Sequence, residues 1–187
     1  MGLPLDIADV RIRPIRPEDG SRLQAYHAGL SAESRYRRFL GAKPTLSAAD
    51  ARYLAEIDGE DHVAYVATVM GAGGEDAIVA VGRFIRLPDD PRAAEFAIVV
   101  GDAWQRQGLA TELLRRLAIA ASRRGIERFR ATMLSDNLAI QRMLERLAVG
   151  EVRRSRRGNV TEMEIVLPAS PLRQVGDPPT EELVAAA

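Results

Sequence analysis

A chain of 187 residues is the size of one domain and can bury a real hydrophobic core. Its 47% hydrophobic and 28% charged residues are ordinary for a globular protein in water, and a formal net charge of zero argues against a strongly basic nucleic-acid binder. With no cysteine and only His27 and His62, disulfides, thiolate metal sites, a cysteine nucleophile and a three-histidine zinc site are excluded.

No apolar run approaches the roughly 20 residues that cross a bilayer. The start, Met1 to Val10, lacks a basic segment followed by an apolar one, so no secretion signal is expected and a cytoplasmic protein is. Val10 to Pro14 alternates apolar and polar residues and stops at proline, which suits a first strand. Pro17, Glu18 and Asp19 read as a helix start, and that helix is expected to run to about Gly29. Ser31 is the expected cap of a second helix that Gly41 ends, and Ser47 opens a third, Ala48 to about Ile57.

Two strand-like runs follow, His62 to Val69 and Ala77 to Arg86, joined by the turn cluster Gly71 to Asp76. Leu87 to Pro91 reads as a turn, and Ala93 to Val100 as a third strand, apolar apart from Glu95. The longest helix is expected from Gly108, with Leu113, Leu114, Leu117, Ala118 and Ala121 at intervals of three and four and Gly125 at its end. Arg128 to Met133 is a short strand, and Asn137 to Leu147 an amphipathic helix. Two last strands are expected at Gly150 to Arg154 and Asn159 to Leu167, joined by the basic turn Ser155 to Gly158. Residues 1–9 read as an extension, 10–168 as the domain, and 169–187, rich in prolines, small residues and acids, as a disordered tail. The order predicts an α+β domain on a mixed sheet.

The segment Val99-Val100-Gly101-Asp102-Ala103-Trp104-Gln105-Arg106-Gln107-Gly108-Leu109-Ala110-Thr111 carries the most chemistry. A buried strand ends, a polar loop follows, and a long helix begins at small residues. Free N–H groups at a helix start, with the helix dipole behind them, bind phosphate oxygens. Gly108 and Ala110 let a pyrophosphate approach the main chain, and Arg106 adds positive charge. Neither the dinucleotide nor the P-loop template fits, because no acidic ribose partner and no Gly-Lys-Ser/Thr follows. The segment also reads as an ordinary strand-loop-helix with a capping glycine.

Gln105-x-x-Gly108-x-Ala110 matches the Gln/Arg-x-x-Gly-x-Gly/Ala pattern for acetyl-CoA in the GNAT acetyltransferase superfamily, and the chain resembles that family from about Val10 to Pro168. Ala94 to Val100 resembles the strand before the loop, and Ser135 to Ile140 the strand-to-helix segment whose asparagine, here Asn137, faces the cofactor. Leu30 to Phe39 and Val81 to Pro88 are similar to the catalytic domain of bacterial Pat-type protein lysine acetyltransferases.

The resemblance implies a mostly antiparallel sheet splayed between its fourth and fifth strands, with helices on its flanks. It implies acetyl-CoA as donor, its pantetheine arm paired along Ile98, Val99 and Val100, and its phosphates on Arg106 to Thr111, with Gln105 and Asn137 beside it. A backbone N–H near Val99 then polarises the thioester. Glu95, the one ionisable residue between Ala93 and Gly101, is the candidate general base, with burial expected to tune it, or else a solvated residue on a sheet face. The acceptor is an amine, protein lysine foremost, with a small amine or a non-catalytic acyl-CoA-binding role as alternatives. No metal, nucleic acid or membrane is implied, and a homodimer is allowed. Where many relatives place a general-acid tyrosine stands Leu144, and Ala148-Val149 replaces the usual Gly-Phe. Asn137 also suits a helix cap, the two histidines a surface or packing place, Trp104 a place under the loop, and the Arg35, Arg37, Arg38 cluster a solvated face or the attraction of acidic substrate proteins.

Overall fold

The computed structural model describes residues 10–71 and 74–169. The expected extension at 1–9, most of the expected tail at 169–187 and part of the turn at 71–76 lie outside those residues.

The strands are β1 (Arg11–Pro14), β2 (His62–Met70), β3 (Asp76–Leu87), β4 (Asp90–Val100), β5 (Arg128–Leu134), β6 (Arg153–Arg157) and β7 (Val160–Val166), and the helices are α1 (Gly20–Gly29), α2 (Ala32–Phe39), α3 (Ala48–Ala55), α4 (Leu109–Ser122) and α5 (Leu138–Leu147). They form one seven-stranded sheet in the order β1-β2-β3-β4-β5-β7-β6, antiparallel except where β4 meets β5.

Local chemistry explains most boundaries. The Ser47 hydroxyl accepts from Asp50 N–H while the Asp50 carboxylate accepts from Ser47 N–H, a capping box that starts α3. Ser31 caps α2 by accepting from Ser34 N–H. That helix ends at Leu40, in the left-handed conformation at φ 51°, one residue before the expected Gly41. β4 begins at Asp90 rather than Ala93, because Pro88 and Asp89 alone make the turn. The last hairpin also differs: Ser155 to Arg157 lie within β6, and the turn is Gly158-Asn159, with Gly158 at φ 61°. Four arginines conceal the strand, since they leave no apolar alternation to read.

On one face, α4 and α5 cover Phe84, Phe96, Phe129, Met163 and Ile165. On the other, α1 and α3 cover Ala64, Val66, Ile78 and Val81 through Leu23, Ala51 and Ala55. Gly82 is where α4 lies closest, its hypothetical Cβ falling 3.0 Å from Leu117 Cδ1. At the edge of the α1 layer Asp19 is fully buried and takes a two-pronged bond from Arg13 at 2.6 and 2.8 Å.

What positions the site is an interrupted ladder. β3 and β4 pair up to Ala80 and Val100, whereas β4 and β5 pair only from Ala93 to Glu95 against Arg128 to Arg130. Phe96 stacks on Phe129 at 5.3 Å just beyond the last paired residue and pins the two strands there. Past that point β4 runs on with β3 and β5 runs on with β7, so the strands part.

Candidate active site

The parting leaves a cleft of about 940 Å³ between β4 and β5, with the start of α4 and α5 on its walls and α2 across it. Gly101 N–H donates to Val79 C=O, which fixes the phase of the β3–β4 ladder. By the alternation of an antiparallel pair, Ala97 and Val99 turn their backbone groups to β3, while Ile98 and Val100 turn theirs toward the gap. The free N–H expected near Val99 therefore belongs to its neighbours Ile98 and Val100. The Val99 carbonyl additionally accepts from Tyr26 Oη at 3.0 Å, and the Val100 carbonyl from Gln105 Nε2 at 3.2 Å. Burial, and then the charge of Asp102, push the Tyr26 hydroxyl far above its usual range, so it stays a donor.

At the mouth of the cleft the loop turns sharply into α4. Arg106 at φ 61° and Gly108 at φ 86° are both left-handed, a conformation that costs a non-glycine residue about 1–2 kcal/mol. Nothing approaches within 4 Å of where a Gly108 Cβ would be, so the first turn of α4 is open to a ligand. Leu109 sends its side chain into the core and can offer only backbone, while Arg106, Gly108, Ala110 and Thr111 line the cleft. Arg115, one turn further on, also lines it and is bonded to Glu112.

The expected site residues fall into two groups. Ile98, Val99, Val100, Gln105, Arg106, Gly108, Leu109, Ala110, Thr111 and Asn137 all line one cleft; Gln107 and Glu95 do not. Gln107 instead donates its amide to Ala103 C=O at 3.0 Å. Glu95 is exposed on its sheet face, the solvated alternative rather than the expected burial. By register its side chain shares a sheet face with Arg83 and Ile85, and α2 brings Arg38 close enough for the two charges to act on one another. Asn137 stands at the N-cap of α5 but makes no side-chain cap bond, which corrects its expected capping role and leaves its amide to the cleft. Leu144, where a general acid was sought, is 1% exposed in the core. Both histidines are buried, so of the two readings they are packing residues, and Trp104 packs against the cluster under its loop.

Sequence reasoning read the arginines of α2 as a solvated face or a lure for acidic proteins and did not place the helix on the cleft. Ser31 N–H, Ser31 Oγ and Ser34 Oγ all donate to the Asp102 carboxylate, at 2.9, 2.8 and 2.7 Å. The Ser31 N–H first, and then the two hydroxyls, hold that carboxylate below its usual range. Gln105 Nε2 reaches Ser34 Oγ at 3.3 Å, and Arg37 bonds Asp136 from the far side of the gap. Thus α2 is fastened to the loop after β4 and to the loop after β5. These partners are about 70 and 99 residues apart in sequence, so only the fold brings them together. Among the described residues no group of three or more metal-ligating side chains is present.

The backbone edge, the open helix start and the long cleft fit a ligand with an extended arm and a phosphate end. The family described as acetyltransferase (GNAT) domain matches residues 9–149. Acetyltransferase Pat of Mycolicibacterium smegmatis is 34% identical over 155 residues, covering 82% of this chain and 45% of that protein, so the chain spans less than half of that relative. Acetyltransferase PA5475 of Pseudomonas aeruginosa is 32% identical over 132 residues, covering 71% of this chain and 70% of that one. The crystal structure of the GNAT domain of S. lividans PAT superposes with a TM-score of 0.72 at 32% identity, over 84% of this chain and 90% of that one.

Proposed function

The chain belongs to the GNAT acetyltransferase family, and from that premise we propose that it transfers an acetyl group from acetyl-CoA to an amine, the ε-amine of a protein lysine, by direct attack in a ternary complex. The observation that carries the donor half is the unpaired edge of β4 opening onto the left-handed turn at Arg106 and Gly108. An extended amide-bearing arm adds to such an edge as a strand does. Phosphates suit the free N–H groups at the start of α4.

Bound there, acetyl-CoA supplies the acyl group as an activated thioester. The Ile98 or Val100 N–H donates to the carbonyl oxygen as negative charge develops on it. The attacking nitrogen must first lose a proton, since a lysine amine with a reference pKa near 10.4 is about 99.9% protonated at neutral pH. Glu95 takes that proton through a water, a route its exposure favours over direct contact. Nitrogen bonds to the carbonyl carbon, the carbon–sulfur bond breaks, the sulfur leaves as a thiolate, and the nitrogen sheds its second proton to water as the amide forms. Leu144 offers the thiolate no proton, so solvent does.

Thermal unfolding with acetyl-CoA, CoA and ATP tests the donor site. A ligand at about a hundred times its Kd adds about 2.7 kcal/mol, which raises Tm by several degrees. The two CoA compounds are expected to give that shift and ATP not; its absence refutes the site. Glu95→Gln is expected to keep the shift and lose turnover by roughly 10²–10⁴-fold. Undiminished turnover removes Glu95 from the mechanism.

A further inference from the structure

Two arginines near Glu95, Arg83 and Arg38, form no ion pair among the described residues. Arg83 on β3 is 5% exposed; its guanidinium donates to Leu54 C=O at 3.2 Å and to His62 Nε2 at 3.0 Å, and it has no ion pair among the described residues. Burial, and then the charge of Arg38, push it down to about 9, so at neutral pH it keeps its charge. His62 beside it is neutral there, since burial and Arg83 hold it near 4. A buried cation without a counter-charge is costly, and proteins retain one where its field is used.

Arg38 is the group through which that field meets the cleft. It lies on α2, lines the cleft, and its guanidinium makes no hydrogen bond among the described residues, although it is held 5.0 Å over the Phe39 ring. Its neighbour Arg37 on the same helix is different, being bonded to both Glu33 and Asp136. Glu95 is the acid whose charge acts on Arg38, yet it stands beyond ion-pair distance. Two cations and one anion leave this end of the cleft positive. Lysine alone is a poor fit there, because its ammonium meets like charge. An acceptor that brings a carboxylate along with its amine fits: the planar fork of Arg38 has its donors free for two parallel bonds, and the positive surroundings favour the amine in its neutral, attacking form.

We propose that Arg38 is a specificity-determining residue that binds a carboxylate carried by the acceptor next to its reacting amine, which in a protein acceptor is an Asp or Glu side chain flanking the target lysine. This rests on the acetyl-transfer reading of the cleft given above. Arg83 acts behind it as a positioning residue, adding positive field without touching the acceptor.

The test compares kcat/KM for lysine peptides that differ only in a flanking Glu or Gln, beside free lysine and its carboxamide as the small-acceptor arm. Wild type is expected to favour the Glu peptide by roughly tenfold, the measure of one charge-assisted contact. Arg38→Gln is expected to bring the ratio to within about twofold, while Arg38→Lys retains part of it and Arg38→Glu turns the preference toward a basic flank. A wild type indifferent both to the flank and to the carboxylate of free lysine, or a preference that survives in Arg38→Gln, overturns the proposal. A tenfold preference confined to free lysine over its carboxamide supports the same contact with a small acceptor as its source. If acetyl-CoA binds and no acceptor turns over, the transfer reading fails separately. Arg38 is then judged by Tm with glutarate against glutaramide at fixed ionic strength. Stabilisation by glutarate in wild type alone supports the anion site; none in wild type, or an equal shift in Arg38→Gln, refutes it.

Discussion

Acidification is expected to destabilise this protein through His62. The imidazole is 8% exposed at the start of β2, packs its ring 5.8 Å from Tyr53, and presents Nε2 to the Arg83 guanidinium 3.0 Å away. A proton added there puts two cations in contact in a buried place. Burial, and then Arg83, lower the group from 6.5 to about 4, with Asp58 opposing. In the unfolded chain it titrates near 6.5, so between those values the unfolded state holds a proton that the folded state does not. Stability is therefore whole above about pH 6.5, falls as pH drops toward 4, and levels off below. At about 1.36 kcal/mol per pH unit the loss is about 3 kcal/mol, a third or so of a typical domain's stability. Urea unfolding of wild type and His62→Gln at intervals from pH 7.5 to 4.5 measures it. The glutamine keeps an acceptor for Arg83 at every pH, so the variants are expected to converge by about 2–3 kcal/mol on acidification. Burial lowers His27 as well, and the parallel variant cancels that contribution. Equal slopes in the two proteins between pH 6.5 and 4.5 would show that His62 is not the sensor.

Gly82→Val places side-chain atoms against Leu117 Cδ1 and Leu113 Cβ, 3.0 and 3.3 Å from the glycine's would-be Cβ, and is expected to cost about 1–3 kcal/mol in urea unfolding with the secondary structure unchanged. A cost below about 0.5 kcal/mol would mean that α4 shifts freely on the sheet. Asp102→Ala removes the acceptor of three hydrogen bonds from Ser31 and Ser34. The α2 amides are then expected to exchange hydrogen at least about tenfold faster while those of α4 hold, the loss of roughly one such bond's worth of local stability. Unchanged exchange in α2 would dissolve the link between that helix and the loop after β4.

The order of strands and helices was legible because each is written locally. Near-continuous apolar runs bounded by turn residues mark β2 and β3, the Ser47–Asp50 capping box marks α3, and the leucine spacing marks α4. The boundaries that moved are those where local chemistry is silent. Leu40 takes the left-handed position beside a glycine better suited to it, and the arginines of β6 hide a strand whose pairing with β7 decides it. The donor side of the cleft was readable because much of it is one continuous segment from Ile98 to Thr111. The acceptor side was not. Arg38 belongs to a run of charges that on its own reads as a solvated face, and its partners come from β3 and β4. Glu95 was expected to be buried because its neighbours are, yet a strand alternates its faces, and this one turns Glu95 away from the core that holds Ala94 and Phe96.

The β6 strand has a consequence for the molecule among other molecules. It lies last in the sheet and is Arg153, Arg154, Ser155, Arg156 and Arg157, all exposed, with Arg153 held by Glu164 and Arg154 by Glu145. An outermost strand is a template on which a stray chain can lengthen the sheet, strand upon strand, into an aggregate. Here a second copy laid against the edge would set arginine against arginine at a strand spacing of about 4.8 Å. The opposite border is guarded too, by Arg11 and by Pro14, which has no N–H to offer. A sheet left open in its middle for a ligand is thus closed at both borders to its own kind.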